Sequence, residues 1–136
     1  MLDNNHLIIK FLGRSFKEGE FDCFDLVLQW YKELGIELPN FRHERYWEGV
    51  KIDLEDYFKN WKRIEKKELK THDGVWFRPK RPFCSPNTEF HMGIYLGLGM
   101  FIQCRKKEGV VISRLGMFEK YIDGYYRHVR LDDGRS

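Results

Sequence analysis

The hydrophobic period of this 136-residue chain changes along its length, and that change restricts the fold more than any other feature. Within residues 24–34 the apolar side chains Val27, Trp30, Tyr31 and Leu34 recur at i, i+3, i+4 and i+7. This spacing places them on one stripe of a helix. Gly35 supplies the stop and Pro39 prevents resumption. From residue 74 onward the pattern is that of short strands, predicted over 74–77, 90–96, 100–104, 110–113 and 125–131, with a short helix over 117–122. Pro79, Pro82 and Pro86 make the stretch between the first two strands a loop. Helix first and strands later is the order of an α+β domain, its helix packed on an antiparallel sheet of about five strands. No strand, Gly-rich turn and helix occur in succession, so a nucleotide cradle is not supported.

Length and composition set the scale. One domain over 1–136 accounts for the chain, and 42% hydrophobic with 16% aromatic residues supplies a core and excludes intrinsic disorder. Residues 40–73 form a strongly charged insertion between the two patterned halves, with a short helix predicted over 54–61 from Leu54, Tyr57, Phe58 and Trp61. No apolar run is long enough to span a bilayer, and Met1 to Asn5 lacks the profile of a secretory signal. The expectation is a chain that is cytoplasmic as synthesised. The net charge of +3 is too balanced to indicate nucleic acid as a partner. Residues 1–60 hold 8 basic and 12 acidic side chains and residues 61–136 hold 16 and 9, so the second half is the basic one. Cys23, Cys84 and Cys104 are odd in number and form no C-x-x-C, which disfavours a disulfide framework and a zinc site. His72, Cys84, His91 and Cys104 likewise lack metal-ligand spacing, and no cofactor is implied.

Chemistry concentrates at Cys23, where the chain enters the first helix. A helix N-terminus carries partial positive charge that favours a thiolate, whereas Asp22 and Asp25 oppose it. Such a nucleophile needs a base within reach and a group that orients the base. Of five histidines, His91 is the best base because it opens a strand that can fix its ring; His128, in the last strand, fits a structural role. If Gly97, Leu98 and Gly99 form a three-residue hairpin loop, Leu96 opposes Met100 and Gly93 opposes Gln103. His91 and Gln103 are then diagonal neighbours on one face, with Met92, Ile94 and Leu96 on the other. A loop of two or four residues would separate them. Gly93 leaves space between them for a thiol or substrate.

Two segments carry a family resemblance. Gly19-Glu20-Phe21-Asp22-Cys23 resembles the Gly-x-x-Asp-Cys segment opening the first long helix of the NlpC-type cell-wall cysteine peptidases. His91-Met92-Gly93-Ile94-Tyr95-Leu96-Gly97, followed by Phe101-Ile102-Gln103, is similar to that family's His-Val-Gly-Ile-Tyr-Leu-Gly hairpin, with a third polar residue twelve positions after the histidine. The resemblance implies a papain-like fold and a nucleophile, base and orienting residue at Cys23, His91 and Gln103. It implies hydrolysis of peptidoglycan stem peptides by acyl transfer through a thiol, with Phe16, Asp22 and Gly93 on the substrate side. Phe24-Asp25 stand where the family usually has Ser-Gly, and Phe16 where it has tyrosine. Those departures leave two other readings: a non-catalytic structural or binding module of the same fold, and a thiol acyltransferase or thioesterase. With no export signal, the peptidase reading expects delivery to the wall by lysis, a virion or specialised secretion, and fits a phage-associated role.

Overall fold

The helix expected from the apolar stripe is α2 (Cys23–Glu33) in the computed structural model, which describes residues 4–17, 20–39, 58–78 and 91–132. Val27, Trp30, Tyr31 and Leu34 are all buried, as the stripe requires. The helix ends in a Schellman arrangement: Gly35, at φ +81°, donates to the Lys32 carbonyl at 3.0 Å and Ile36 to the Tyr31 carbonyl at 2.9 Å. A shorter helix, α1 (Asn4–Phe11), precedes it and buries Leu7 and Phe11. Sequence patterning missed α1, although Leu7 and Phe11 have the i, i+4 spacing of a one-sided helix.

Six strands form one antiparallel sheet: β1 (Trp61–Ile64), β2 (Gly74–Phe77), β3 (His91–Gly97), β4 (Met100–Arg105), β5 (Gly109–Arg114) and β6 (Ile122–His128). Their spatial order is β1-β6-β2-β3-β4-β5. The count is six where about five were expected. The extra strand is β1, and it corrects the predicted helix over 54–61 at its end, because Trp61 begins a strand paired with His128. Residues 54–57 of that predicted helix lie outside the described residues, as do Cys84 and the proline-rich loop, and Lys59 and Asn60 form a turn that leads into β1. The helix expected over 117–122 lies earlier, as α3 (Leu115–Phe118) followed by a 3-10 turn, and β6 starts at Ile122 rather than Tyr125.

Strand alternation sorts the core into two layers. Met92 and Ile94 of β3, Ile102 and Cys104 of β4 and Val110 of β5 pack with Phe24, Leu26, Val27 and Trp30 of α2. The opposite face carries Val75, Phe77, Phe101, Ile122 and Tyr125, closed by Leu115 of α3. A buried ion pair locks the middle of the sheet. Arg127 donates from Nε and Nη2 to the two carboxylate oxygens of Asp73, at 2.9 and 2.8 Å, and from Nη2 to the Glu68 carbonyl at 2.6 Å. Among the described residues no helix is long and apolar enough to cross a membrane.

Candidate active site

Cys23 is the first residue of α2, and the sequence before and after it explains why the helix begins there. Asp22 is the N-cap: its Oδ1 accepts from the Phe24 N–H at 2.9 Å and the Asp25 N–H at 3.2 Å. Asp25 Oδ2 accepts from the Asp22 N–H at 3.0 Å, closing a reciprocal capping box. The two carboxylates, read from the sequence as charges near the thiol and, for Asp22, as a group on the substrate side, are the start signal of the helix. The Asp-x-x-Asp spacing was the available clue. Phe24, at a departure from the family pattern, is a buried core side chain. Asp25, the other departure, closes the box.

His91 opens β3 on the sheet face away from α2's packing stripe, against Phe77, whose ring lies 4.9 Å away in an edge-to-face contact. Its Nε2 is 2.8 Å from Gln103 Oε1. The diagonal placement expected from Gly93 opposite Gln103 is observed. The loop that produces it is different from the one expected. β3 runs through Gly97, the turn is Leu98 and Gly99, and Gly97 rather than Leu96 pairs with Met100. A two-residue turn alone would have put the pair on opposite faces. A bulge between Tyr95 and Gly97 absorbs one residue and restores the register. Leu98 and Gly99 both have positive φ, 54° and 75°, as a tight hairpin turn demands.

Gly93 does not hold space open. A Cβ there would lie 2.8 Å from the Ile102 carbonyl oxygen and 3.0 Å from the Phe101 ring, so the glycine serves the close approach of β3 and β4. Phe16 is half-buried against the α2 core layer. Ser113, which sequence reasoning did not single out, accepts a hydrogen bond from Gln103 Nε2 at 2.9 Å. The register of β4 with β5, Gln103 opposite Val111 and Phe101 opposite Ser113, was the signal that could have found it.

Electrostatics tie the helix start to the sheet. Burial holds the His91 imidazole well below its usual range, at about 4; the Gln103 hydrogen bond opposes this, Arg105 adds to it and Asp22 opposes it. The Asp22 charge, at the start of α2, thus acts on His91 at the start of β3. It also acts on Cys104, where burial pushes the thiol up to about 12, Asp22 adds and Arg14 opposes. Cys104 is therefore an inert buried thiol at neutral pH. Asp22, Cys23, His91 and Gln103 are all nearly sealed from solvent, none more than 3% exposed.

The other histidines have different surroundings. His72, at φ 82°, accepts from Trp30 Nε1 at 3.0 Å through Nδ1, its carbonyl accepts from the Tyr31 hydroxyl, and burial lowers it to about 4. His128 Nδ1 accepts from the Arg130 N–H at 3.1 Å, a structural role of the kind expected from its strand. Among the described residues no group of three or more His, Cys, Asp or Glu side chains is arranged to hold a metal ion. A cleft of about 400 Å³ at the β1–β6 end of the sheet is lined by Arg63, Lys66, Glu119, Ile122 and Tyr125. It includes neither Cys23 nor His91, and its Lys66 and Glu119 are paired with each other.

The sequence model of the NlpC/P60 family matches residues 10–130. The chain is 32% identical over 126 residues to the Escherichia coli K12 protein named murein DD-endopeptidase MepS/murein LD-carboxypeptidase, covering 92% of this chain and 56% of that one. It is also 32% identical over 115 residues to E. coli K12 murein DD-endopeptidase MepH, covering 84% and 37% of the two chains. The chain thus spans about half or less of the length of these curated relatives. Among solved structures, an NlpC/P60 family protein from Bacillus cereus ATCC 10987 superposes with TM-score 0.66 at 22% identity, over 94% of this chain and 41% of that one. An NLP/P60 lipoprotein-like protein from Staphylococcus aureus Mu50 gives TM-score 0.64 at 20% identity, over 94% and 43%. These neighbours share the α+β, papain-like fold, and with a cysteine opening α2 and a histidine and glutamine joined across the β3–β4 hairpin, the chain belongs to the NlpC/P60 family.

Proposed function

We propose that this chain is a cysteine hydrolase that cleaves an amide bond in peptidoglycan stem peptides, with Cys23 as nucleophile, His91 as base and Gln103 as the group that orients the base. The observation that carries the reading is the 2.8 Å contact between His91 Nε2 and Gln103 Oε1, with His91 on a strand that packs against α2, the helix opened by Cys23, and within electrostatic reach of Asp22. A carboxamide oxygen only accepts, so it favours the imidazole with its proton on Nε2. Nδ1 then takes the thiol proton. Burial keeps His91 neutral at physiological pH, which is the protonation state a base requires.

The chemistry follows as acyl transfer. The Cys23 sulfur attacks the amide carbon while its proton moves to His91 Nδ1; the same proton then passes to the departing amine, and water releases the acyl-enzyme. The developing oxyanion falls beside the backbone N–H of Cys23, at the positive end of α2. Gln103 is neutral, so it orients the ring more than it stabilises the imidazolium. Substrate class comes from the relatives, whose names identify murein endopeptidases.

The departures at Phe16, Phe24 and Asp25 are the ground for a non-catalytic module. Phe24 fills the core and Asp25 completes the helix cap, so these two departures have structural reasons of their own. The test compares wild type with Cys23→Ala on peptidoglycan fragments, following new free amino groups. Release by wild type alone is expected. Equal release by both would sink the thiol mechanism, and no release by either, with Cys23 inert to iodoacetamide near neutral pH, would favour the binding module.

A further inference from the structure

Three side chains stand in a line across three strands on one face of the sheet: His91 on β3, Gln103 on β4 and Ser113 on β5. The register makes this geometry a property of the backbone. Gly93 opposite Gln103 puts His91 one diagonal step from Gln103, and Phe101 opposite Ser113 puts Ser113 one diagonal step further on. The side chains complete it, with 2.8 Å between His91 Nε2 and Gln103 Oε1 and 2.9 Å from Gln103 Nε2 to Ser113 Oγ. Gln103 is fully buried, whereas Ser113 is half-buried.

We propose that Ser113 is a positioning residue that sets the imidazole state of His91 by holding the Gln103 carboxamide; this deepens, and rests on, the reading of His91 as the base. A glutamine side chain has three rotatable bonds and a planar end that can turn over, exchanging its oxygen for its amino group. Turned over, it would present N–H donors to His91 Nε2 and favour the proton on Nδ1, where the ring cannot take a proton from a thiol. The single hydroxyl of Ser113 anchors the far end of the carboxamide. Its oxygen accepts from the carboxamide N–H in the observed orientation; without it that orientation orphans a buried N–H, whereas a turned-over carboxamide would orphan only a carbonyl oxygen, the less costly group to leave unpaired. Removing the hydroxyl leaves an amide N–H sealed in the protein with its anchor gone, so the carboxamide samples other rotations. Ser113 touches neither nucleophile nor base, and its influence passes through Gln103.

Two readouts test this on the full chain. The first is the tautomer of His91, read from imidazole nitrogen shifts at pH 7.5. The second is the rate at which iodoacetamide alkylates Cys23 across pH 5–9. In wild type the Nε2–H form should dominate. Ser113→Ala should give a mixed tautomer population and alkylate about 5- to 30-fold more slowly, the factor a lost hydrogen bond to a buried group produces. Ser113→Thr, which keeps the hydroxyl and suits a strand, should restore both. Val110→Ala, a core truncation on the same strand, should lower thermal stability without moving the tautomer. An unchanged tautomer and rate in Ser113→Ala, or no rescue by threonine, overturns the proposal. The tautomer comparison does not depend on activity. A wild type without thiol-dependent peptidoglycan cleavage would therefore refute the catalytic reading while the nitrogen shifts still decide the role of Ser113.

Discussion

Gly93→Ala joins fold and site in one perturbation. The added methyl would stand 2.8 Å from the Ile102 carbonyl oxygen and 3.0 Å from the Phe101 ring. Ordinary contact begins near 3.4 Å, so the strands must separate by roughly half an ångström. The obstacle is backbone, and it sits next to Gln103 in the chain. β4 cannot retreat without carrying the carboxamide away from His91, and a 2.8 Å hydrogen bond stretched by that amount leaves the good range. Overpacking of this kind costs about 1–3 kcal/mol, and the stretched contact weakens a second interaction of about 1 kcal/mol. We expect a fall of about 2–4 kcal/mol in urea-unfolding free energy, with Cys23 alkylation slowed by at least about tenfold. Loss of stability without loss of thiol reactivity would mean that the strands open away from Gln103. Neither effect would mean that β3 and β4 are not in the close contact described, and the reasoning about Gly93 would fail.

Three further perturbations address the scaffold. Asp73→Ala strands the Arg127 guanidinium inside the sheet and should cost about 3–5 kcal/mol by urea denaturation; a cost under about 1 kcal/mol would show that water reaches the pair. His72 and His91 are both held neutral to about pH 4, whereas an unfolded histidine takes its proton near 6.5. The unfolded chain therefore binds more protons between those values, so stability is complete above about pH 6.5 and falls as the pH drops toward 4. The loss should approach about 3 kcal/mol for His91 and less for the more screened His72. Unfolding free energies that stay level from pH 7 to 4.5 would refute it. Asp22→Ala removes the N-cap and should cost about 1–2 kcal/mol, while Asp22→Asn should cost clearly less; equal losses would show that charge rather than capping matters.

The parts legible in the sequence were those governed by a period or a turn. The stripe Val27, Trp30, Tyr31 and Leu34 and the stop at Gly35 located α2, and short strand-like runs bounded by glycine and proline located the strands from Gly74 onward. His91 and Gln103 were placed together by counting across the hairpin, although the count assumed a three-residue loop. The bulge at Leu96 corrected one irregularity with another, and no pattern in Gly97-Leu98-Gly99 distinguishes the two solutions. β1 was missed because Trp61-Lys62-Arg63-Ile64 is too short and too charged to show a period, and it is held by pairing with β6. Ser113 lies ten residues from Gln103 across the β4–β5 hairpin and was within reach of the same count, which was made only for β3 and β4. The Asp73–Arg127 pair was illegible for a different reason: its members lie 54 residues apart, and local patterning carries no information about which strand lies next to which.

The acidic residues flanking Cys23 pose an electrostatic question that the geometry resolves. A carboxylate next to the nucleophile disfavours a thiolate, which makes Asp22 look like a poor neighbour for the proposed chemistry. Yet the step in question moves a proton from sulfur to imidazole, creating a negative charge at Cys23 and a positive one at His91. Asp22 lies close enough to His91 to favour its protonated form. Its repulsion of the new negative charge and its attraction to the new positive charge therefore offset each other across the transfer. Arg105, which acts on His91 in the opposite sense, has no such duty in the helix cap. On this argument the cap can be acidic at little cost to the thiol. Asp22→Asn should leave the pH midpoint of Cys23 alkylation nearly in place, whereas Arg105→Gln should raise the imidazole's proton affinity and move that profile. A large displacement with Asp22→Asn and none with Arg105→Gln would show that Asp22 acts mainly on one of the two charges, and that the cancellation does not hold.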